Sequence, residues 1–453
     1  MTNSKLIREV IKECIYEVFV SEKRHKKRKL KKLLLKAKKD SPLYNELYKD
    51  INVKGITPDT LNQLPTTNKI FINENYDKWS CDQNVTKEDI INYTKEYSNS
   101  SKAYLDKYVV DSTSGTTGEK FVIPNEQKEF EHMLTMGALH TWPKKSYIVD
   151  LMKSWEPVVY IIPTDGFYAS LLVANTYLGL SKSNASKMID IRLPIDRIVA
   201  ELNSIKPILI GGYVCSLIML ADEAEKGNLK INPKYMVTIG SVYNSSERKR
   251  IESVFGSKTF TSYSCTEGGE IGVECINGHY HIARDVIIES VDDNLMPVKD
   301  GEEGKSILIT NLWNMTSPFI RYKVSDRCII HSEACGCGRK SKWIEVFGRE
   351  RVLIPFKTRK DEDSYLTDIS LEKIIYDLDD DRAIHQLIID KNNIEVRIYS
   401  SDEALRLKNF KTIKNQIINM AEGNNIYLSI QLSTANPIYE DSGKLKHILI
   451  KKD

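Results

Sequence analysis

Residues 207–264 decide the fold class of this chain and read PILIGGYVCSLIMLADEAEKGNLKINPKYMVTIGSVYNSSERKRIESVFGSKTFTSYS. Short apolar runs alternate here with segments of helical periodicity. In order, the pattern predicts a strand ILI (208–210), a helix SLIMLADEAEKG (216–227), a strand YMVTIG (235–240), a helix ERKRIESVFG (247–256) and a strand TFTSYS (259–264). A βαβαβ order implies parallel strands with helices packed on the sheet, so we predict an α/β fold.

Downstream of this unit the helical signals disappear. Between residues 281 and 332 the runs VIIESV, SILITNLW, FIRYKV and CIIHS alternate with turn-forming residues, which predicts strands. Beyond residue 348, amphipathic helical patterns return together with strands such as NNIEVRIYS (392–400). We therefore expect a large N-terminal α/β domain at 1–347, which includes a β-rich subdomain at about 270–347, and a small mobile α+β C-terminal domain at 348–453.

The composition excludes several classes of protein. The 453 residues carry 65 Lys and Arg against 62 Asp and Glu, a balance unlike that of a chain built mainly to coat nucleic acid. No uninterrupted apolar run reaches the roughly 18 residues that a membrane span requires, and charged residues interrupt the first twenty, unlike a signal peptide. Eight cysteines are too sparse for a disulfide framework. We expect a cytoplasmic protein with reduced thiols or a metal site.

A dense basic segment lies near the start of the chain. Residues 23–39 read KRHKKRKLKKLLLKAKK, and Leu30, Leu33, Leu34 and Ala37 recur at the spacing of one helix face. This pattern predicts a docked amphipathic helix with a solvated basic face. A patch that binds RNA or a membrane surface is the alternative.

The sharpest local signal is VVDSTSGTTGEKFVIP at 109–124, where strand-like residues flank a run of small and hydroxylated ones. Gly115 and Gly118 let backbone amides approach an anion closely, and the run from Ser112 to Thr117 supplies hydroxyl donors. The spacing differs from the G-x-x-x-x-G-K-[ST] loop of kinases and GTPases. The run therefore predicts a phosphate-binding loop, with a solvated hairpin as the alternative.

Five motifs in order resemble those of the acyl-adenylate-forming superfamily. They are STSGTTGEK (112–120), SYSCTEGG (262–269), FIRYKVSDR (319–327), EVFGRERV (345–352) and SGKLKH (442–447). The segment KKLLLKAKKDSPLYNELY (31–48) is similar to the N-terminal segment of the phenylacetate–coenzyme A ligase branch. The resemblance covers the chain from about residue 30 to its end, and it agrees with the two-domain fold expected above.

The resemblance implies an ATP-dependent carboxylate ligase. Such an enzyme forms an acyl- or aryl-adenylate, releases pyrophosphate and passes the acyl group to the thiol of coenzyme A. Alternatives are a phosphopantetheinyl acyl carrier protein or an amine as acceptor, and a catalytically silent nucleotide- or RNA-binding protein. The partners implied are a small aliphatic or aromatic carboxylic acid and coenzyme A or a carrier protein, with no nucleic acid and no membrane span. A homodimer is left open.

The resemblance also assigns roles to individual residues. Lys444 would bridge the substrate carboxylate and the α-phosphate, while Thr266 and Glu267 would hold Mg²⁺. The segment Gly348 to Arg351 would be the hinge between the domains, and LIPFKTRKDEDS (353–364) stands where the family usually has a glycine-containing segment. The nucleotide would be bound by Ser114, Gly115, Thr116, Thr117, Gly118, Lys120, Gly240, Ser241, Tyr263, Ser264, Asp326 and Arg349, with Asp326 on the ribose hydroxyls.

Two further sites are expected. Cys275, His281, Cys335 and Cys337 match a cysteine and histidine set of the same branch and suit a closed structural Zn²⁺ site. His279 could replace His281, and simple packing of the cysteines is the alternative. For the acyl group, the candidates by position are His140, Gly166, Phe167, Tyr168 and Tyr213, each of which is as often an ordinary core residue.

Overall fold

The structure is a computed structural model. It describes residues 3–113, 121–142, 147, 150–151, 153–179, 181–240, 245–349, 353–367, 371, 374–375, 378, 383–439 and 445–451. In the part of the chain so described, no helix combines the length and the apolar character needed to cross a membrane.

Helices build the first hundred residues and recur between the strands that follow. The N-terminal helices are α1 (Asn3–Phe19), α2 (Glu22–Asp40), α3 (Pro42–Leu47), α4 (Lys69–Glu74), α5 (Tyr76–Trp79) and α6 (Lys87–Thr94), with 3₁₀ turns at Pro58–Gln63 and Tyr97–Ser101. The later helices are α7 (Gln127–His140), α8 (Ala169–Leu178), α9 (Ile195–Ile205), α10 (Val214–Glu225), α11 (Ser245–Phe255) and α12 (Glu403–Gly423).

Twenty strands are described. Those before residue 350 are β1 (Tyr108–Ser112), β2 (Val122–Glu126), β3 (Val158–Ile161), β4 (Lys187–Ile189), β5 (Leu209–Gly212), β6 (Tyr235–Thr238), β7 (Thr259–Cys265), β8 (Gly269–Glu274), β9 (Tyr280–Ile282), β10 (Val286–Val291), β11 (Ser306–Asn311), β12 (Tyr322–Val324), β13 (Asp326–His331) and β14 (Trp343–Arg349). The others are β15 (Leu353–Lys357), β16 (Asp363–Thr367), β17 (Ile384–Asp390), β18 (Asn393–Tyr399), β19 (Ser429–Ser433) and β20 (Ile448–Ile450).

A nine-stranded sheet organises the large N-terminal part, in the order β13-β14-β9-β8-β7-β6-β5-β3-β4. Strands β4, β3, β5, β6 and β7 are parallel, and the sheet continues from β7 through antiparallel neighbours to β13. The segment 207–264 forms the predicted βαβαβ unit at the centre of this sheet. Half of the β-rich segment extends the same sheet, because β8 folds back on β7 as a hairpin, while β10, β11 and β12 form a separate antiparallel sheet.

The basic segment near the start folds as α2, as its spacing predicts. Ser21 caps the helix by accepting a hydrogen bond from the Arg24 amide, and Leu30, Leu33, Leu34 and Ala37 are buried. Burying a leucine side chain contributes about 1.5–3 kcal/mol. The helix is therefore held by its apolar face, and the lysines at positions 23, 27, 31, 32 and 39 are exposed.

The small C-terminal part has its own core beneath the sheet β19-β18-β17-β20 and helix α12. It also touches the large part, because Ile384, Tyr399, Tyr439 and Leu445 pack against the core of the parallel strands. The architecture is thus a large α/β part that contains β-rich sheets and a small α+β part, which confirms the predicted fold class.

Candidate active site

Seven of the predicted site residues follow the carboxyl ends of the parallel strands. These ends meet at one edge of a parallel sheet, where α/β folds bind their ligands. Strands β3, β5, β6 and β7 are followed there by Gly166 to Tyr168, Tyr213, Gly240, and Thr266 with Glu267. Gly166 and Gly240 have φ of 98° and 72°, so both positions favour glycine.

The base of the hydroxyl-rich loop lies beside this edge. The Thr113 amide donates to the Phe121 carbonyl at 2.9 Å, and the Phe121 amide donates to Thr113 Oγ1 at 3.2 Å. The Ser112 amide donates to the carbonyl of Phe167, which follows β3, at 2.7 Å. The β1–β2 hairpin therefore starts and ends the loop next to the parallel strands. The predicted phosphate residues Ser114, Gly115, Thr116, Thr117, Gly118 and Lys120 lie outside the described residues.

Glu267 is fixed by two groups from the β-rich segment. The Tyr322 hydroxyl donates to Glu267 Oε1 at 2.9 Å, and the Asn311 side-chain amide donates to the Glu267 carbonyl at 2.9 Å. Burial, reinforced by the Glu267 charge, raises the pKa of Tyr322 far above its ordinary value, so this hydroxyl stays a donor. One carboxylate oxygen is thus anchored, and the other oxygen and the neighbouring Thr266 hydroxyl are of the type that Mg²⁺ prefers.

Asp326 is held in a similar way. The Tyr263 hydroxyl donates to Asp326 Oδ2 at 2.7 Å, and burial raises the pKa of Tyr263 well above its ordinary value. Asp326 opens β13 and faces Arg349, the last residue of β14, in register. The side chain of Arg349 lies outside the described residues. Asp326 and Glu267 are therefore each oriented by a tyrosine hydroxyl, and the adjoining Ser264 is exposed.

A buried acid that was not predicted from the sequence lies on β1, just before the hydroxyl-rich loop. Asp111 is 4% exposed on β1, and its Oδ1 accepts from the Asn125 side-chain amide at 3.2 Å. Asn125 Oδ1 in turn accepts from the Asn314 amide at 2.8 Å. Burial, with a further contribution from the Glu267 charge, raises the pKa of Asp111 to about 8. This chain of side chains links the loop to the β-rich segment.

The turn that contains Lys444 is bracketed by described residues. Tyr439 and Leu445 pair as an isolated bridge, and both pack against the core of the parallel strands. The Tyr439 hydroxyl lies 3.8 Å from Met219 Sδ on α10, the helix that follows β5. The flanks of the turn thus contact the helix that starts at the ligand-binding edge. Lys444 itself, and Ser241 after β6, lie outside the described residues.

The predicted zinc ligands come together as a compact group. The ligand atoms of Cys275, His281, Cys335 and Cys337 all lie within 4.8 Å of one another. His281 Nε2 is 3.1 Å from Cys335 Sγ and 3.2 Å from Cys337 Sγ, and the Sγ atoms of Cys275 and Cys335 are 3.6 Å apart. Zn–S distances of about 2.3 Å in a tetrahedron place sulfurs about 3.8 Å apart, so the set fits Zn²⁺.

The surroundings of His281 fix its tautomer. Its Nδ1 donates to the Ser341 carbonyl at 2.9 Å, which leaves a lone pair on Nε2, and burial lowers its pKa. His279, the alternative ligand, instead stacks on Trp343 with the ring centroids 3.9 Å apart. The geometry therefore selects His281.

The predicted acyl-site residues divide into two groups. Phe167, Tyr168 and Tyr213 follow β3 and β5 but are buried in the cores, and the Tyr213 hydroxyl contacts Ser170 Oγ at 3.1 Å. These three residues lie at the edge of the parallel strands where a ligand would bind. His140 lies elsewhere, at the end of α7 against α1, where its Nε2 is 2.7 Å from Glu17 Oε1. The structure does not bring His140 to the other acyl candidates.

The sequence analysis also missed the two anchors of Glu267. Tyr322 lies within the motif FIRYKVSDR, four residues before Asp326, although the two residues are on different strands, β12 and β13. Its place in that motif is the signal by which Tyr322 could have been identified. No comparable signal marks Asn311, because its partner is 44 residues away and is a backbone carbonyl.

Comparisons of sequence with protein-family models and with curated proteins give no match. Comparison of the structure gives similarity to solved structures of 2-hydroxyisobutyryl-CoA ligase. The ligase in the postadenylation state with 2-HIB-AMP has a TM-score of 0.66 and 17% identity, over 94% of this chain and 88% of that chain. The same state with R3-HIB-AMP gives 0.64 and 16%, over the same shares of the two chains. In the thioesterification state with 2-HIB-AMP and CoA the ligase gives 0.57 and 17%, over 93% and 88%.

At these identities the similarity establishes the fold. This chain shares the fold of these 2-hydroxyisobutyryl-CoA ligase structures and has a large N-terminal and a small C-terminal part, which confirms the fold expected from the resemblance. The TM-score is higher against the postadenylation state than against the thioesterification state.

Proposed function

We propose that this protein is an ATP-dependent carboxylate ligase that forms an acyl- or aryl-adenylate and then transfers the acyl group to the thiol of coenzyme A. One observation carries the proposal. Glu267 and Asp326, the two acids that the resemblance assigns to metal and ribose, are each anchored by a tyrosine hydroxyl beside the carboxyl ends of the parallel strands. The shared fold supports the same reading.

The first half-reaction joins a carboxylate oxygen to the α-phosphorus of ATP and breaks the bond to the β-phosphate, so pyrophosphate leaves. Both reactants are anions, and cations have to surround them. In the proposal the loop 112–118 binds the β- and γ-phosphates. Glu267 with Thr266 holds Mg²⁺, which neutralises phosphate charge when bound. Asp326 accepts hydrogen bonds from both ribose hydroxyls, while Lys444 contacts the substrate carboxylate and the α-phosphate.

The second half-reaction forms a bond between the thiol sulfur and the acyl carbon and releases AMP, with the thiol proton leaving to solvent. We propose that residues 348–453 move as a unit about Gly348 to Arg351 between the two steps, because one cleft has to serve two different second substrates.

We also propose that the chain belongs to the phenylacetate–coenzyme A ligase-like branch. Two features support this assignment, the N-terminal segment 31–48 and the cysteine and histidine set, which we propose binds a structural Zn²⁺.

A carrier protein is the second candidate acceptor. The β15–β16 hairpin ends in the charged turn Thr358–Glu362, where the resemblance expects a glycine-containing segment near the thiol's route. Free coenzyme A and a phosphopantetheine attached to a carrier protein would make different contacts with this turn. Adding coenzyme A or a phosphopantetheinylated carrier protein to the adenylating enzyme, and scoring the thioester by mass spectrometry, separates the two.

The test of the main proposal is ATP–pyrophosphate exchange over a panel of small aliphatic and aromatic carboxylic acids. We expect exchange that depends on one class of acid and on Mg²⁺. Glu267→Gln should reduce the exchange rate by at least about 100-fold, because the metal would lose its anionic ligand. Glu302→Gln, an exposed acid on a turn, is the matched control. Absence of exchange with every acid, or an unchanged rate in Glu267→Gln, would refute the proposal.

A further inference from the structure

Helix α1 carries an exposed apolar stripe. Ile7, Ile11 and Ile15 recur every four residues, and Val18 and Phe19 continue the same face by one turn. These five side chains are 43, 53, 53, 78 and 79% exposed. We call this face the α1 stripe. Contiguous apolar surface of this kind on a folded protein marks an interaction site.

The opposite side of α1 packs against the rest of the protein, so α1 does not need the α1 stripe to pack against the core. Leu6 is buried against Ala138 and Tyr177. Three side-chain contacts join the same side to α7. They are the ion pair of Lys5 with Glu131 at 2.6 Å, and the contacts of Glu13 with His132 at 3.7 Å and of Glu17 with His140 at 2.7 Å. The helix is held in place by contacts that leave the stripe facing outward.

Cations border the α1 stripe, and the neighbouring helix α2 carries more of them. Arg8 and Lys12 flank the stripe, and both pair with Glu9 at the surface. On the far side of these cations, the Tyr16 ring contacts the Arg28 guanidinium of α2 at 5.2 Å. Six cations of α2 are exposed within ten residues, Lys23, Arg24, Lys27, Arg28, Lys31 and Lys32. Residues 3–40 carry fourteen Lys and Arg against five Asp and Glu, although the whole chain is nearly balanced.

We propose that α1 and α2 form a docking surface for an anionic lipid bilayer, with the α1 stripe inserted among the lipids and the α2 cations on the headgroups. An apolar helix face bordered by Lys and Arg is the arrangement by which helices lie in a membrane interface. Each Lys or Arg near an anionic surface adds to the electrostatic attraction. The inference does not depend on the proposed function.

Charge decides between this occupant and two others. A second copy of the chain would cover the α1 stripe only by bringing two strongly basic α1–α2 segments together, at a cost in electrostatic repulsion. RNA would satisfy the cations of α2 but would leave the five apolar side chains in water. An anionic bilayer satisfies both features at once.

The test is co-sedimentation of the full chain with vesicles of phosphatidylcholine alone, or with equal amounts of phosphatidylcholine and phosphatidylglycerol. We expect binding to the mixed vesicles that weakens as salt rises, and little binding to the neutral ones. The triple variant Ile11→Gln, Ile15→Gln, Phe19→Gln should bind at least about tenfold more weakly, because three side chains lose their burial in lipid. The double variant Ile70→Gln with Ile276→Gln is the matched control, because these side chains are 70 and 71% exposed and lie outside α1 and α2.

A second variant keeps the test decisive if the first loses the docking of α1. Lys27→Glu with Lys31→Glu leaves the α1 stripe intact and should also weaken binding at least about tenfold. Equal binding to both vesicle types would overturn the proposal. A wild-type dimer in light scattering that the triple variant dissociates would also overturn it. So would binding of single-stranded RNA that does not displace the protein from the vesicles.

Discussion

Asp111 and Glu267 are two acids of one site in opposite surroundings. Glu267 is half-buried and accepts a hydrogen bond from the Tyr322 hydroxyl, whereas Asp111 is buried on β1 and accepts one from the Asn125 side-chain amide. Burial disfavours the charged form of a carboxyl, so Asp111 carries its proton at neutral pH while the folded state persists. A neutral acid there avoids adding a second negative charge where the proposal places phosphates.

The raised pKa of Asp111 makes stability depend on pH. The unfolded chain releases this proton near pH 4 and the folded chain near pH 8, so the free energy of unfolding falls as pH rises between these values. Asp111→Asn should remove up to about 1.4 kcal/mol of that fall per pH unit, because the amide never ionises. Urea unfolding at several pH values measures it. Asp361→Asn, on an exposed turn, is the control, and an unchanged slope in Asp111→Asn would contradict the assignment.

Lys444 should separate the two half-reactions. Lys444→Ala is expected to abolish ATP–pyrophosphate exchange, because no other cation is proposed to bridge the carboxylate and the α-phosphate. It should largely spare thioester formation from a supplied acyl-adenylate. Lys451→Ala, an exposed lysine of the same C-terminal segment that pairs with Asp390, is the matched control. Unimpaired exchange in Lys444→Ala would refute the role.

At the scale of elements, the sequence predicts what local periodicity determines. The βαβαβ unit, the buried face of α2 and the cysteine and histidine set all follow from spacing along one segment. The Asn314–Asn125–Asp111 chain does not, because Asn314 and Asn125 are 189 residues apart and asparagine has no periodic signature. The docking of α1 on α7 depends on pairs separated by more than a hundred residues. Such contacts become visible only when tertiary packing brings the elements together.

The predicted zinc ligands come from different elements of the fold. They connect the turn that contains Cys335 and Cys337 to β9 and to the end of β8. We expect one zinc per chain in protein purified without chelator. Cys335→Ser should lower the zinc content and the melting temperature, by about 2–4 °C for each kcal/mol lost. Pyrophosphate exchange at low temperature should persist, since the metal supports the fold. Cys14→Ser is the control, and a wild-type protein without zinc would contradict the site.

At the scale of the whole molecule, the small part rests on the large one through Tyr439 and Leu445, on either side of the turn that contains Lys444. In the proposed mechanism this arrangement suits the first half-reaction, and the second half-reaction would require this contact to break. A contact of a few partly buried side chains is weak enough to do so.

Fixing this contact should arrest the enzyme between its two steps. We expect Met219→Cys with Tyr439→Cys, joined by a short reducible crosslinker, to keep pyrophosphate exchange within about twofold and to lose thioester formation at least about tenfold. Reductant should restore the second activity. Wild-type protein given the same reagent is the control, because the chain has eight cysteines of its own. Full thioester formation by the crosslinked protein would contradict the proposed movement.

The pairing of Asp326 with Arg349 across β13 and β14 has a mechanical consequence. The chain leaves the large sheet directly after Arg349, so the proposed pivot and the proposed ribose anchor share one rung of the strand ladder. In a rotation, displacement grows with radius. If residues 348–453 rotate as proposed, the ribose anchor lies next to the pivot and is displaced least, so a bound adenylate would keep its place while its surroundings change.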